Sequence, residues 1–145
     1  MVFRLFFLVL LCFCISSLYA QEIEIVGNST EIVDGDAYPS FSDDTYFAGA
    51  AVSSGTVSKT FTIKNRGFST LSLSGSTPYV SISGTNSSSF SITSAPSNSI
   101  SAGSNTTFTI EFDPSTTGSA VAEVNIGSND ADEATYNFSI KNIIY

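Results

Sequence analysis

Thr106-Thr-Phe-Thr-Ile-Glu-Phe-Asp-Pro-Ser-Thr-Thr-Gly118 is the stretch whose reading decides the fold class. Phe108, Ile110 and Phe112 alternate with Thr107, Thr109 and Glu111. A period of two is the mark of a strand with one face buried and one in water. Asp113-Pro114 ends it, because proline has no N–H for a ladder and favours a turn. Gly118 closes the loop before the next strand begins.

The same grammar repeats outward. Downstream, Ala120, Ala122, Val124 and Ile126 alternate with Val121, Glu123 and Asn125, and Tyr136, Phe138 and Ile140 form a last strand after an acidic loop from Gly127 to Ala134. Upstream, Val57 to Lys64 turns Phe61 and Ile63 inward. Asn65-Arg-Gly67 reads as a turn with Gly67 at positive φ, and Leu71 and Leu73 are expected to return as the second arm of a hairpin. Val80 with Ile82, and Phe90 with Ile92, mark short strands on either side of the Ser-rich stretch Thr85 to Ser89. Gln21 to Val26 opens the domain as a strand, and Tyr46 to Val52 reads as another, bent at Gly49.

About seven to nine short antiparallel strands, regular turn signals and no helical period predict an all-β sandwich, since two half-apolar sheets must cover one another. A small closed barrel is the rival arrangement. Residues 21–145 suit a single domain with a core of its own.

Residues 1–20 read as a signal peptide. Arg4 supplies the positive charge, Leu5 to Ile15 the apolar run, and Ala20 the small residue before a cut at Gln21. That run is too short to span a bilayer comfortably, and no later run is long and apolar enough for a transmembrane helix. Both cysteines, Cys12 and Cys14, lie in the leader, so the exported chain has no disulfide framework, which suits a bacterial exported protein. Loss of Arg4 takes the formal charge from −8 to −9. Such a surface argues against nucleic acid and anionic membranes, which require clustered Lys and Arg. The expected destination is the cell exterior or the cell surface.

Taken in order, these segments resemble the choice-of-anchor D domain family, related to the Hydin and abnormal-spindle type immunoglobulin-like modules. The resemblance runs from Glu24 to Ile140. It is carried by Ile25-Val-Gly-Asn28, Ile32-Val-Asp-Gly-Asp36 with Pro39-Ser40, Gly55-Thr-Val57, and Phe61-Thr-Ile-Lys-Asn-Arg-Gly67. Val80-Ser-Ile-Ser-Gly84, Phe90-Ser-Ile92, the organising strand with Asp113-Pro114, and Ser128-Asn-Asp-Ala-Asp-Glu133 before Tyr136-Asn-Phe138 complete it. The resemblance implies an immunoglobulin-like sandwich used as a non-catalytic module of secreted or surface proteins. Relatives often continue into a sorting tail. None follows Tyr145 here, which leaves a free-standing secreted domain or a piece of a longer protein. Eukaryotic relatives are tied to cilia and centrosomes, a role the leader argues against.

The chemistry available is narrow. There is no histidine, and no cysteine outside the leader, which removes the commonest general base, nucleophile pairs and most zinc or copper sites. Glu111 and Asp113 are the one pair to weigh as glycosidase carboxylates, but one lies on an exposed strand face and the other at a proline turn, so no enzyme is expected. Hard cations want several oxygen ligands, and Asp34, Asp36, Asp43 and Asp44 are the calcium candidates, with Asp130, Asp132 and Glu133 a second acidic loop. The competing account is that Asp initiates turns and keeps loops soluble. No other cofactor is expected. Tyr38, Phe41, Tyr46, Phe47, Phe68 and Tyr79 lie in loops or at strand ends, either plugging the sandwich or presenting rings to a sugar. The function expected is a spacer or docking module whose partner is a protein or a surface polysaccharide. The alternative is a carbohydrate-binding module, assisted by calcium.

Overall fold

The structure, a computed structural model, describes residues 21–48, 52 and 55–144. The expected leader therefore lies outside the described residues, as does Gly49 in the expected strand Tyr46 to Val52. Strand β1 (Ile23–Gly27) is followed by β2 (Thr30–Ile32), β3 (Val57–Asn65), β4 (Leu71–Ser72) and β5 (Val80–Ser83). A 3₁₀ turn at Ser87–Ser89 leads into β6 (Phe90–Ser94), β7 (Ser99–Ile100), β8 (Asn105–Phe112), β9 (Gly118–Gly127) and β10 (Thr135–Ile144). The organising stretch is β8. It lies inside a five-stranded sheet of order β2-β1-β3-β8-β6, facing a three-stranded sheet β10-β9-β5, with β4 and β7 paired as a two-stranded ribbon. All these ladders are antiparallel. The protein is an all-β sandwich.

Alternation explains the core. Phe61 and Ile63 of β3, Phe108, Ile110 and Phe112 of β8, and Ala120, Ala122, Val124 and Ile126 of β9 are buried, while Val121 and Glu123 between them are exposed. Phe138 of the second sheet reaches Phe61 of the first at 5.6 Å between ring centroids, and Phe61 stacks on Phe108 at 5.4 Å. Phe47 meets Phe90 edge-on at 5.5 Å, and Phe90 meets Phe112 at 4.8 Å. Aromatic pairs across the interior supply the largest buried areas a small sandwich can gather.

Three expectations change. Ten strands are present among the described residues rather than about seven to nine, because strands of two or three residues such as β2 and β7 leave no period to read. Leu71 does not return along β3 as a hairpin; it pairs with Ile100 of β7. The cause is Asn65, 1% exposed, whose Nδ2 donates to the carbonyls of Ser69 (2.7 Å) and Ile100 (2.9 Å) while its Oδ1 accepts from Gly67 N–H (3.0 Å). These bonds steer the chain out of the first sheet, and Gly67 serves there as a donor; it is not among the left-handed residues. Finally, Tyr46 makes one parallel bridge, to Lys141, in place of a strand.

Candidate functional site

The Asp-rich segment from Val33 to Phe47 lies along the free edge of β10. Gly35 N–H donates to Asn137 O (2.7 Å), Ser139 N–H to Asp36 O (2.7 Å), Lys141 N–H to Thr45 O (3.0 Å) and Phe47 N–H to Lys141 O (2.7 Å). The segment acts as an interrupted parallel strand, bridging at Asp36–Phe138 and Tyr46–Lys141. An uncovered edge would present unpaired backbone groups to other chains, and this one is covered from within.

The four calcium candidates serve that cover. Asp34 Oδ1 accepts from Asn137 N–H (2.7 Å), and Asp36 Oδ1 accepts from Tyr38 N–H (2.8 Å). Buried Asp43 accepts from the N–H (3.0 Å) and hydroxyl (2.6 Å) of Thr45, and Asp44 pairs with Lys59 at 2.6 Å. Each carboxylate is engaged separately. Among the described residues no three His, Cys, Asp or Glu side chains converge as metal ligands would. Gly27 allows the segment to sit close, since a Cβ there would lie 1.9 Å from the Asp43 carbonyl oxygen.

What the segment presents outward is aromatic. Tyr38 is 85% exposed and Phe41 65%, and Phe41 packs against Tyr46 at 4.3 Å between centroids. Tyr38, Pro39 and Tyr46 line an open depression of about 370 Å³ with Val121, Ser139 and Lys141. The last three come from the outward positions of β9 and β10, where Lys141 lies opposite Val121. Sequence reasoning missed them, although the odd-numbered register of β9 and β10 already assigned them to the solvent face. Phe47 is fully buried in the core, and Tyr79 packs partly against it. Phe68, 75% exposed, stands apart on the β3–β4 connection. Glu111 is occupied by the hydroxyl of Thr56 at 3.0 Å.

The second acidic loop is tied to the start of β1. Asp130 Oδ2 accepts from Ile23 N–H (2.8 Å), and Asp130 N–H donates to Ser128 Oγ (3.0 Å). Burial, reinforced by the charges of Glu22, Asp130, Asp34 and Asp132, pushes the Glu133 carboxyl up to about 7. Glu22 is raised by burial and then by Asp130 and Asp132. Glu24 moves the other way, held down first by its hydrogen bond from Arg66 and then by Lys64. Burial raises the Tyr136 phenol, whose hydroxyl donates to Ile32 O.

Comparison with known proteins bears on the fold. Residues 40–142 match the HYDIN/CFA65/VesB-like, Ig-like domain family. Among solved structures, the chain is similar to a protein of unknown function from Porphyromonas gingivalis W83, with 17% identity and a TM-score of 0.59 over 90% of this chain and 50% of that one. It is also similar to the ASH/PapD-like domain 7 of human CEP192, at 15% identity and a TM-score of 0.49, covering 88% and 87% of the two chains. The Vibrio cholerae VesB protease follows at 15% identity and 0.46, covering 67% of this chain and 28% of the protease. The chain thus spans half the length of the Porphyromonas protein and less of the protease. No curated protein matches the sequence.

Proposed function

Because the chain belongs to the HYDIN/CFA65/VesB-like, Ig-like domain family, we propose that it is an exported, non-catalytic docking or spacer module of a secreted or cell-surface protein. The choice-of-anchor D resemblance is the narrower form of the same reading. The observation that carries it is the aromatic surface on the edge-covering segment. Polar groups there are consumed by the fold, while Tyr38 and Phe41 stand in water beside Tyr46 and Val121. Large exposed aromatics cost solvation and are typical of contact surfaces. The partner is a protein or a surface polysaccharide. A photoreactive residue at position 38, in cells that express the protein, is expected to give one discrete cross-linked species outside the cytoplasm, while the same residue at Glu111 gives none. Equal, diffuse labelling from both positions would sink the proposal.

The Tyr38 depression also favours a second reading, a carbohydrate-binding module. An exposed ring beside Ser139 and Lys141 is the combination of stacking face and polar rim that sugar recognition uses. The two readings part on one titration. Saturable sugar binding lost in Tyr38→Ser would move the assignment to the second; no saturable binding leaves the first.

A further inference from the structure

The outer face of the β10-β9-β5 sheet carries a second depression, of about 310 Å³, toward the end away from Tyr38. Its floor is Ser81 of β5, Asn125 and Gly127 of β9 and Thr135 of β10, all at outward positions. Ser81 lies opposite Asn125, and Thr135 opposite Gly127. Ser74, Ser76 and Tyr79 of the β4–β5 connection form the wall. From Val121 in the first depression to Asn125 in this one, β9 extends about 13 Å, so the two are separate places on one face.

The local structure explains how these groups come together. Tyr79 N–H donates to Ser76 O at 2.8 Å, closing the turn that sets the tyrosine beside the sheet. Its φ of +64° lies in the left-handed region, where a bulky side chain is an outlier. Strain of this kind persists where the surroundings over-determine it, and it concentrates at ligand sites. Gly127 lets the wall come close, since a Cβ there would lie 2.3 Å from Ser74 Oγ. Asn125 is positioned by its Nδ2, which donates to Ser83 Oγ (3.1 Å) and Glu123 O (3.4 Å). Ser74, Ser76, Ser81 and Thr135 are exposed, so their hydroxyls are open to a ligand.

The lining selects the ligand by what it contains. Among the described residues no charged side chain lines the depression, in a chain with 13 acidic residues and 5 basic ones. A phosphate or carboxylate would find no cation there, and a metal or an amine no carboxylate. Hydroxyls and an amide both donate and accept, which suits a ligand that is itself rich in hydroxyls. An aromatic ring beside them supplies the apolar contact that such a ligand needs on its C–H side. We infer that the Tyr79 depression is a binding site for a neutral saccharide, with the tyrosine against the sugar ring and Ser76, Ser81, Asn125 and Thr135 exchanging hydrogen bonds with its hydroxyls. The acidic surface does not repel an uncharged ligand. This site stands whichever reading of the Tyr38 depression holds.

The test is a titration of the ¹⁵N-labelled protein, followed by amide chemical shifts, with glucose, galactose, mannose and N-acetylglucosamine and with short linear oligomers of each. Saturable shifts are expected at Ser76, Ser81, Asn125, Gly127 and Thr135. Binding of a monomer marks a free sugar as the source, and binding of oligomers alone marks a polysaccharide. Asn125→Ala removes one hydrogen-bonding group from the floor at a half-buried strand position, and affinity should fall about tenfold. Tyr79→Asn removes the ring and puts at the left-handed position a residue that tolerates it, so binding should be lost while the fold remains. Asn125→Ala carries the test on its own where Tyr79→Asn unfolds the protein. No saturable shift with any of these sugars overturns the inference. So do shifts confined to Tyr38, Val121 and Lys141, or an affinity unchanged in both variants; shifts at that first depression alone would support its sugar reading and remove this site.

Discussion

Asn65→Ala should be among the most damaging single changes in this protein. The side chain is buried and makes three bonds to backbone groups: donors to Ser69 O and Ile100 O, and an acceptor for Gly67 N–H. Alanine removes all three. A hydrogen bond of this kind contributes about 1 kcal/mol net, and stranding a buried partner adds to the loss, so about 3 kcal/mol is expected. For a domain of this size that corresponds to roughly 10 °C in melting temperature. Asn65→Asp sharpens the test. It keeps the acceptor for Gly67 N–H but sets a carboxylate oxygen against two carbonyls, so at pH 7 it should be at least as destabilising as alanine. Acid should relieve the aspartate variant, because a protonated carboxyl regains one donor, and should not relieve the alanine variant. Urea unfolding followed by circular dichroism at pH 7 and pH 4 reads both effects. An Asn65→Ala variant within 1 kcal/mol of wild type would refute the claim that this amide directs the crossover from β3 to β4.

Three further predictions follow from other parts of the molecule. Gly27→Ala places a Cβ against the Asp43 carbonyl oxygen; it should cost about 2 kcal/mol or more and speed amide exchange at Phe47 and Lys141 as the edge cover lifts. Glu133, raised chiefly by burial, has a folded pKa of about 7 against an ordinary 4.5. The folded state therefore holds the proton longer, and stability should fall as pH climbs from about 4.5 through about 7, by about 1 kcal/mol after solvent screening; Glu133→Gln should flatten that slope, and a slope unchanged in the variant counts against the assignment. Asn142 is fully buried, and neither its Oδ1 nor its Nδ2 finds a partner among the described residues. Asn142→Leu, similar in volume, should raise stability by about 1 kcal/mol in thermal melts, whereas a loss would mean that the amide is satisfied.

The sandwich was legible because burial leaves a period. Phe108, Ile110 and Phe112, and the alternating run from Ala120 to Ile126, point to one face whatever the partners are. The crossover at Asn65 was not legible, because an Asn-Arg-Gly turn and an amide that bonds a strand thirty-five positions on look alike until the partner is in place. The acidic loop was ambiguous for a similar reason: carboxylate oxygens that can hold a cation can equally accept backbone N–H groups. At Asp34, Asp36 and Asp43 they do the latter. Phe41 and Phe47 share one loop and one chemistry, yet one lies in water and the other in the core. Only the parallel bridges of the segment to β10 decide which ring turns inward. Val121, Ser139 and Lys141 entered the candidate site through the pairing of β9 with β10, which no local pattern reports.

Export of this domain is the central claim, and fractionation of the cells that make it tests that most directly. Blots of medium, envelope and cytoplasm, with the mass of the recovered chain, are expected to find it outside the cytoplasm and beginning at Gln21. Cytoplasmic protein that still carries Met1 to Ala20 would contradict the account.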